Sequence, residues 1–238
     1  MTNLPTVSDT KRAFYRSYAR PIHSIYQRVV EELLVEMHLL HVNNRFRYDL
    51  IYALGVVQTF DRFMEGYPEA GRLGIFESLM RALNLDPVQV RADAQQVETW
   101  VKGESGPRLR AWLEQPEEGV PFDTTDPLQQ QFQHLADQPH FKYSRLFAAG
   151  LVTILEWVDS RFLAEVETRL QTLKRLCSAL HLSEERVQRD LDLYRSNLER
   201  LVQARAVLED VLKAGRKSPV GVMENPSDVA EAPSGSNS

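Results

Sequence analysis

A single cysteine, Cys177, stands in a chain of 238 residues, so no internal disulfide can staple the fold. It sits between Leu176 and Leu180 on an apolar helical stripe and reads as a small buried hydrophobe, not a reactive thiol; a reducing compartment is compatible with it. Long apolar runs are missing as well. The longest charge-free stretch, Leu146 to Leu155, is about half of what a bilayer-spanning helix requires, so the chain is expected not to span a membrane. The N-terminus, MTNLPTVSDTKR, has neither the apolar centre of a secretory signal nor the Arg/Ser-rich, acid-poor make-up of a transit peptide. No run of Lys and Arg gathers on one face and the formal net charge is -5. That removes the electrostatic footprint of a nucleic-acid binder.

Chemical motifs are equally scarce. There is no GxxxxGK phosphate cradle and no GxGxxG turn, so nucleotide chemistry has no visible seat. Gly103-Glu104-Ser105-Gly106 starts like a nucleophile elbow, but Pro107 stands where the last glycine is needed and no strand precedes it. His38 and His41 lie one turn apart near Glu36, yet neither HExxH nor the Glu-x-x-His pair of di-iron bundles is present; they read as surface or helix-end histidines. Glu31, Glu32 and Glu36 read as the solvent face of an amphipathic helix. No catalytic, cofactor or metal site is expected, and a binding or scaffold protein fits better than an enzyme.

What is there is helical periodicity, and 43% hydrophobic residues are enough for a real core. Residues 1 to 7 read as a tail. Ser8 or Asp9 can cap a short helix carrying Phe14, Tyr15 and Tyr18. Helices then follow from Ile22 to about His41, from Tyr48 to Glu65, through Leu73 to Leu83, and from the Asp86-Pro87 cap to Gly103. A connector of about residues 104 to 125, rich in proline and glycine, carries one short helical piece around Leu109 and Trp112. Helices through Leu128 to Leu135, from Phe141 to about Asp159, and from Leu163 to Leu180 complete a body of residues 8 to 181.

This body contains an echo. FRYDLIYALGVVQTFD, Phe46 to Asp61, returns as FKYSRLFAAGLVTILE, Phe141 to Glu156, with Gly55 falling on Gly150. Ala82 to Asp93 is echoed by Ala179 to Asp190, at offsets of 95 to 97 residues. The simplest reading is a helical unit used twice, about residues 22 to 103 and 124 to 200, the copies burying their stripes jointly. The alternative is that two amphipathic helices of like phase resemble each other through periodicity alone. A glycine in mid-helix costs about 1 kcal/mol; both copies bear this cost, which suggests that two helices cross closely at these points.

The last helix, 182 to 214, begins with a Leu182/Val187 staple around the Ser183 cap. Val187, Leu191, Tyr194, Leu198, Leu201, Leu208 and Leu212 follow a coiled-coil seam broken at Arg205. Its first-copy counterpart stops at Gly103, so the part beyond about Arg200 is expected to project. Leu201, Arg205, Leu208, Val211 and Leu212 are the candidate partner-binding residues, and Arg195, Glu199, Arg200, Glu209 and Asp210 would help to set register. The cover for this edge could be the chain's own body, a second copy or a partner. Residues 215 to 238 read as a disordered tail.

Three stretches together resemble the thylakoid formation protein family, the photosystem II biogenesis proteins of cyanobacteria and plastids: TVSDTKRAFYRSYARPIHSIYQRVVEELLVEMHLL at 6 to 40, FRYDLIYALGVVQTFDRFMEGY at 46 to 67, and LSEERVQRDLDLYRSNLERLVQA at 182 to 204. The resemblance implies an all-α protein with a C-terminal coiled-coil element, peripheral on the cytoplasmic or stromal side of thylakoid membranes. It implies a role in photosystem II assembly and repair and thylakoid organisation, with the membrane-bound FtsH protease complex as partner. It carries no catalytic residues and no cofactor. The missing transit peptide points to a cyanobacterial or a processed plastid form. The rival expectation is a self-associating structural protein whose arm pairs with another copy.

Overall fold

The computed structural model describes residues 4 to 115 and 119 to 217, with backbone alone at 163, 164 and 208 to 217. Among these residues the secondary structure is helical and contains no strand. In chain order the helices are α1 (Val7–Ser17), α2 (Ser24–His41), α3 (Leu50–Phe63), α4 (Glu69–Ala82), α5 (Pro87–Lys102), α6 (Ser105–Leu113), α7 (Pro127–Ala136), α8 (Arg145–Val158), α9 (Arg161–Ala164), α10 (Val166–Ala179) and α11 (Glu184–Lys217).

The centre is the pair α3 and α8. Ile51 to Val57 is buried without interruption in the one, and Leu146 to Leu155 in the other. Helices that are apolar all round belong in the middle of a bundle. They meet at the two glycines. A methyl group at Gly55 would overlap the carbonyl oxygen of Leu146 and stand 2.9 Å from the Gly150 nitrogen. One at Gly150 would overlap the carbonyl of Ile51 and stand 3.0 Å from the Gly55 nitrogen. Ile51 and Leu146 are themselves equivalent positions, so the contact is reciprocal: what one copy presents to the other it receives back. This is the close crossing that the paired glycines suggest.

Around this axis the local devices of the first half recur in the second. The hydroxyl of Tyr48 donates to Asp93 at 2.7 Å, and that of Tyr143 to Asp190 at 2.9 Å, pinning α5 and α11 to the entry of α3 and α8. Phe46 packs edge-on against Tyr52 at 4.9 Å, as Phe141 does against Phe147 at 4.8 Å. Before α5 and α11 the chain turns through a left-handed residue, Asn84 at φ 58° and His181 at φ 55°. The amides behind them close the preceding helix in the same way, Leu85 N to Met80 O at 2.9 Å and Leu182 N to Cys177 O at 2.8 Å.

Three details differ from the sequence reading. The first helix is capped by Thr6, not by Ser8 or Asp9. Thr6 accepts from the Asp9 amide while the Asp9 carboxylate accepts from the Thr6 amide, so the helix starts inside the expected tail. The helix expected from Leu163 to Leu180 is broken at Glu165, which is extended, and its outer positions Val166 and Leu170 are exposed. His38 is buried, with Nδ1 2.9 Å from the Thr10 hydroxyl; it fastens α1 to α2 and does not sit at the surface.

The caps of the two central helices differ in kind. Ser144 accepts from the Phe147 amide at 3.0 Å as a neutral cap, whereas Asp49 accepts from the Tyr52 amide at 2.8 Å, and burial pushes its carboxyl up to about 6. A carboxyl raised on folding contributes stability that is complete below its ordinary value of 3.8 and lost as pH rises through about 6. Asp49→Asn, which keeps the acceptor, is therefore expected to match the wild type at pH 3.5 and to exceed it by up to about 3 kcal/mol at pH 8, read from urea unfolding at both pH values. At the crossing, Gly55→Ala and Gly150→Ala are each expected to cost about 3 kcal/mol or more, because the new methyl meets backbone that cannot rotate away; thermal unfolding measures this.

Candidate functional site: α11 and its bed

The seam of α11 rests on the body. Val187 and Leu191 are fully buried, and the Tyr194 ring packs edge-on against Phe63 at 5.5 Å. Beneath it Arg62 of α3 and Glu156 of α8 form a two-pronged ion pair, Nη2 to Oε2 at 2.6 Å and Nη1 to Oε1 at 3.4 Å. This pair ties the two central helices together where α11 crosses them.

Leu201 and Arg205 do not stand in water on a projecting arm. Leu201 is 7% exposed. Arg205, the residue that breaks the heptad pattern, lies over the turn that ends α3: its Nη1 is 3.6 Å from Glu65, and its guanidinium covers Gly66, where a methyl group would come within 2.9 Å. Gly66 holds φ at 83°, so glycine serves both the turn and the approach of the arginine. The length comparison between copies missed this because it followed α11 alone, and not the turn after α3 that Arg205 reaches. Leu208, Val211 and Leu212, with Glu209 and Asp210, lie outside the residues whose side chains are described. The backbone stays helical to Lys217.

Elsewhere on α11, Leu193, Val202 and Val207 are exposed. Successive pairs are about 180° and 140° apart around the helix, so they form no continuous stripe for a second coil. Beside α11 a cleft of about 90 Å³ opens between α2, α3 and α8, floored by Leu33, Phe63, Ala149 and Leu191. Ala149 and Asn197 line it, at positions where the first half has the larger Leu54 and Trp100. Its mouth is spanned by Arg145 and Glu36, Nη2 to Oε2 at 2.8 Å. Glu36 is thus largely covered, with its carboxyl raised by burial, and is not a solvent-face residue.

Nothing reactive collects here. Among the described residues no group of three His, Cys, Asp or Glu side chains is placed to hold a metal ion. Cys177 is buried and its thiol is pushed up to about 11 by that burial, far from a nucleophile's range. His41 lies beside the Phe46 ring, with Nε2 3.3 Å from the Tyr52 hydroxyl, and burial lowers its pKa. No helix among the described residues is long and apolar enough to cross a membrane.

The family model of the thylakoid formation proteins matches residues 6 to 219. The chain belongs to the thylakoid formation protein family. Protein Thf1 of Cyanothece is 49% identical over 218 residues, covering 91% of each chain. Protein Thf1 of Acaryochloris marina is 45% identical, covering 91% of this chain and 87% of that one. A solved structure of Psb29 superposes with a TM-score of 0.73 at 41% identity, covering 90% of this chain and 98% of the other. As a thylakoid formation protein, then, the chain has relatives that align across both halves and along α11, so the docked helix belongs to the matched region.

Arg205 sets how firmly α11 is held at its far end. The partner Glu65 is well exposed, which limits the pair to about 1 kcal/mol or less. Arg205→Ala is expected to speed amide exchange over residues 198 to 207 by up to about fivefold while leaving the melting temperature nearly unchanged. Unchanged exchange there would show that Leu201 alone holds the helix.

Proposed function

We propose that this thylakoid formation protein is a non-enzymatic factor for photosystem II assembly and repair that binds and stabilises thylakoid FtsH protease complexes. In this reading it sits peripherally on the cytoplasmic or stromal side of the membrane. The observation that carries it is the use of α11: the body absorbs the seam as far as Arg205, and the helix then continues for about three more turns to Lys217. A helix rooted in a rigid double unit can present its end to a partner in a set direction, which lowers the ordering cost of association. Leu208, Val211 and Leu212 supply the apolar contacts of that end, with Glu209 and Asp210 in register beside them.

Self-association through the seam is the competing reading. The burial of Val187, Leu191 and Leu201 in a single chain weighs against it, because those side chains are already covered. A pull-down from solubilised thylakoids compares the intact chain with a version ending at Val207, which keeps the Arg205 contact. Loss of FtsH subunits from the shortened chain, with light scattering unchanged, is the expected result. Retention of those subunits would move recognition to the body, and a fall from dimer to monomer would favour self-association.

A further inference from the structure

Two loops separated by about ninety residues in sequence line one open cavity of about 750 Å³ at an end of the bundle. They are equivalent loops, the one between α2 and α3 and the one between α7 and α8. Each carries basic groups on either side of a buried-facing phenylalanine: Arg45 and Arg47 around Phe46, His140 and Lys142 around Phe141. Arg45, Arg47, His134 and His140 all line the cavity and are all exposed.

Most of their hydrogen-bonding capacity is unspent. Among the described residues the side chains of Arg45, His134 and His140 have no hydrogen bond or ion pair. Arg47 donates through Nη1 alone, to the carbonyls of Asn44 and Phe46 at 2.8 Å each. That anchors the guanidinium and leaves Nη2 and Nε free. The single carboxylate in the lining, Asp49, is turned to the Tyr52 amide as the α3 cap. The cavity is open for a reason visible in the repeat. On the α2/α8 side Glu36 and Arg145 bridge the mouth, whereas here the equivalent positions are Gln131 and Leu50, which cannot pair.

We propose that this cavity binds a phosphate or sulfonate group, with Arg45 and Arg47 as the forked cationic donors and His134 and His140 as the donors opposite. Guanidinium forks match the paired oxygens of such groups. The chain carries a net charge of -5, so attraction of an anion has to be local and cannot come from the overall field. The same chemistry is offered by the headgroup of an anionic lipid and by a free phosphate monoester. This site is independent of the FtsH reading, and either can fail without the other.

The test uses the full chain with three probes: vesicles of phosphatidylglycerol mixed with phosphatidylcholine, vesicles of phosphatidylcholine alone, and soluble glycerol phosphate. Sedimentation reads the vesicles and calorimetry the soluble ester. The expected result is binding to the mixed vesicles and not to the neutral ones, weakened roughly fivefold for each arginine removed in Arg45→Gln/Arg47→Gln. An equal loss of charge elsewhere, Arg12→Gln/Arg28→Gln, should leave it unchanged. All four substituted residues are exposed, and matching melting curves establish that the variants fold. Binding of glycerol phosphate with the same dependence on Arg45 and Arg47, without vesicle binding, supports the anion site and assigns it to a free ester. Failure to bind either anionic probe, or equal losses in the two double variants, overturns the proposal.

Discussion

The molecule depends on one approach of backbone to backbone, at Gly55 and Gly150. Side chains of any size there would separate α3 from α8, and the layers packed on them would lose their common floor. Dispersion and burial reward such close contact over many atoms at once, and this offsets the intrinsic cost of glycine in two helix interiors. Because Ile51 and Leu146 occupy equivalent places on the two sides of the crossing, one geometry solves the burial problem of both halves. Around that crossing the tyrosine–aspartate pins, the aromatic pairs and the left-handed turns before α5 and α11 recur in both halves.

The surfaces proposed for binding lie where the halves depart from each other. Ala149 and Asn197 line a cleft, at positions where the first half carries the larger Leu54 and Trp100. Glu36 and Arg145 close one mouth with charge, while Gln131 and Leu50 leave the other open between basic loops. The largest departure is length. The α5 helix ends at Lys102 with the body, whereas α11 runs on to Lys217 and is fastened by Arg205 at the turn after α3. The shared crossing gives the two halves a common floor, and unequal decoration of it supplies surfaces that differ between them. Such a division of labour supports the binding role proposed for this member of the thylakoid formation protein family.

Much of this was legible in the chain itself. Periodicity located most of the helices, the echo pointed to a helical unit used twice, and two mid-helix glycines at equivalent positions located the crossing. The Asp86 and Ser183 caps and the staple around Val187 followed from residue type at short range, where geometry is set by the few dihedral angles between neighbours.

Tertiary structure alone decided what covers each face. The heptad seam of α11 told which side is apolar, but not that the body itself receives it as far as Arg205. His38 and Glu36 looked like surface residues on an amphipathic helix; α1 closes over the first and Arg145 reaches the second across 109 positions. The basic end was invisible because neither loop is basic enough by itself, and the cluster arises when the fold brings them together. The physical reason is common to all of these. Local sequence fixes the phase and ends of a helix through short-range dihedral and capping energies, whereas the partner of a face is chosen by the crossing of distant elements.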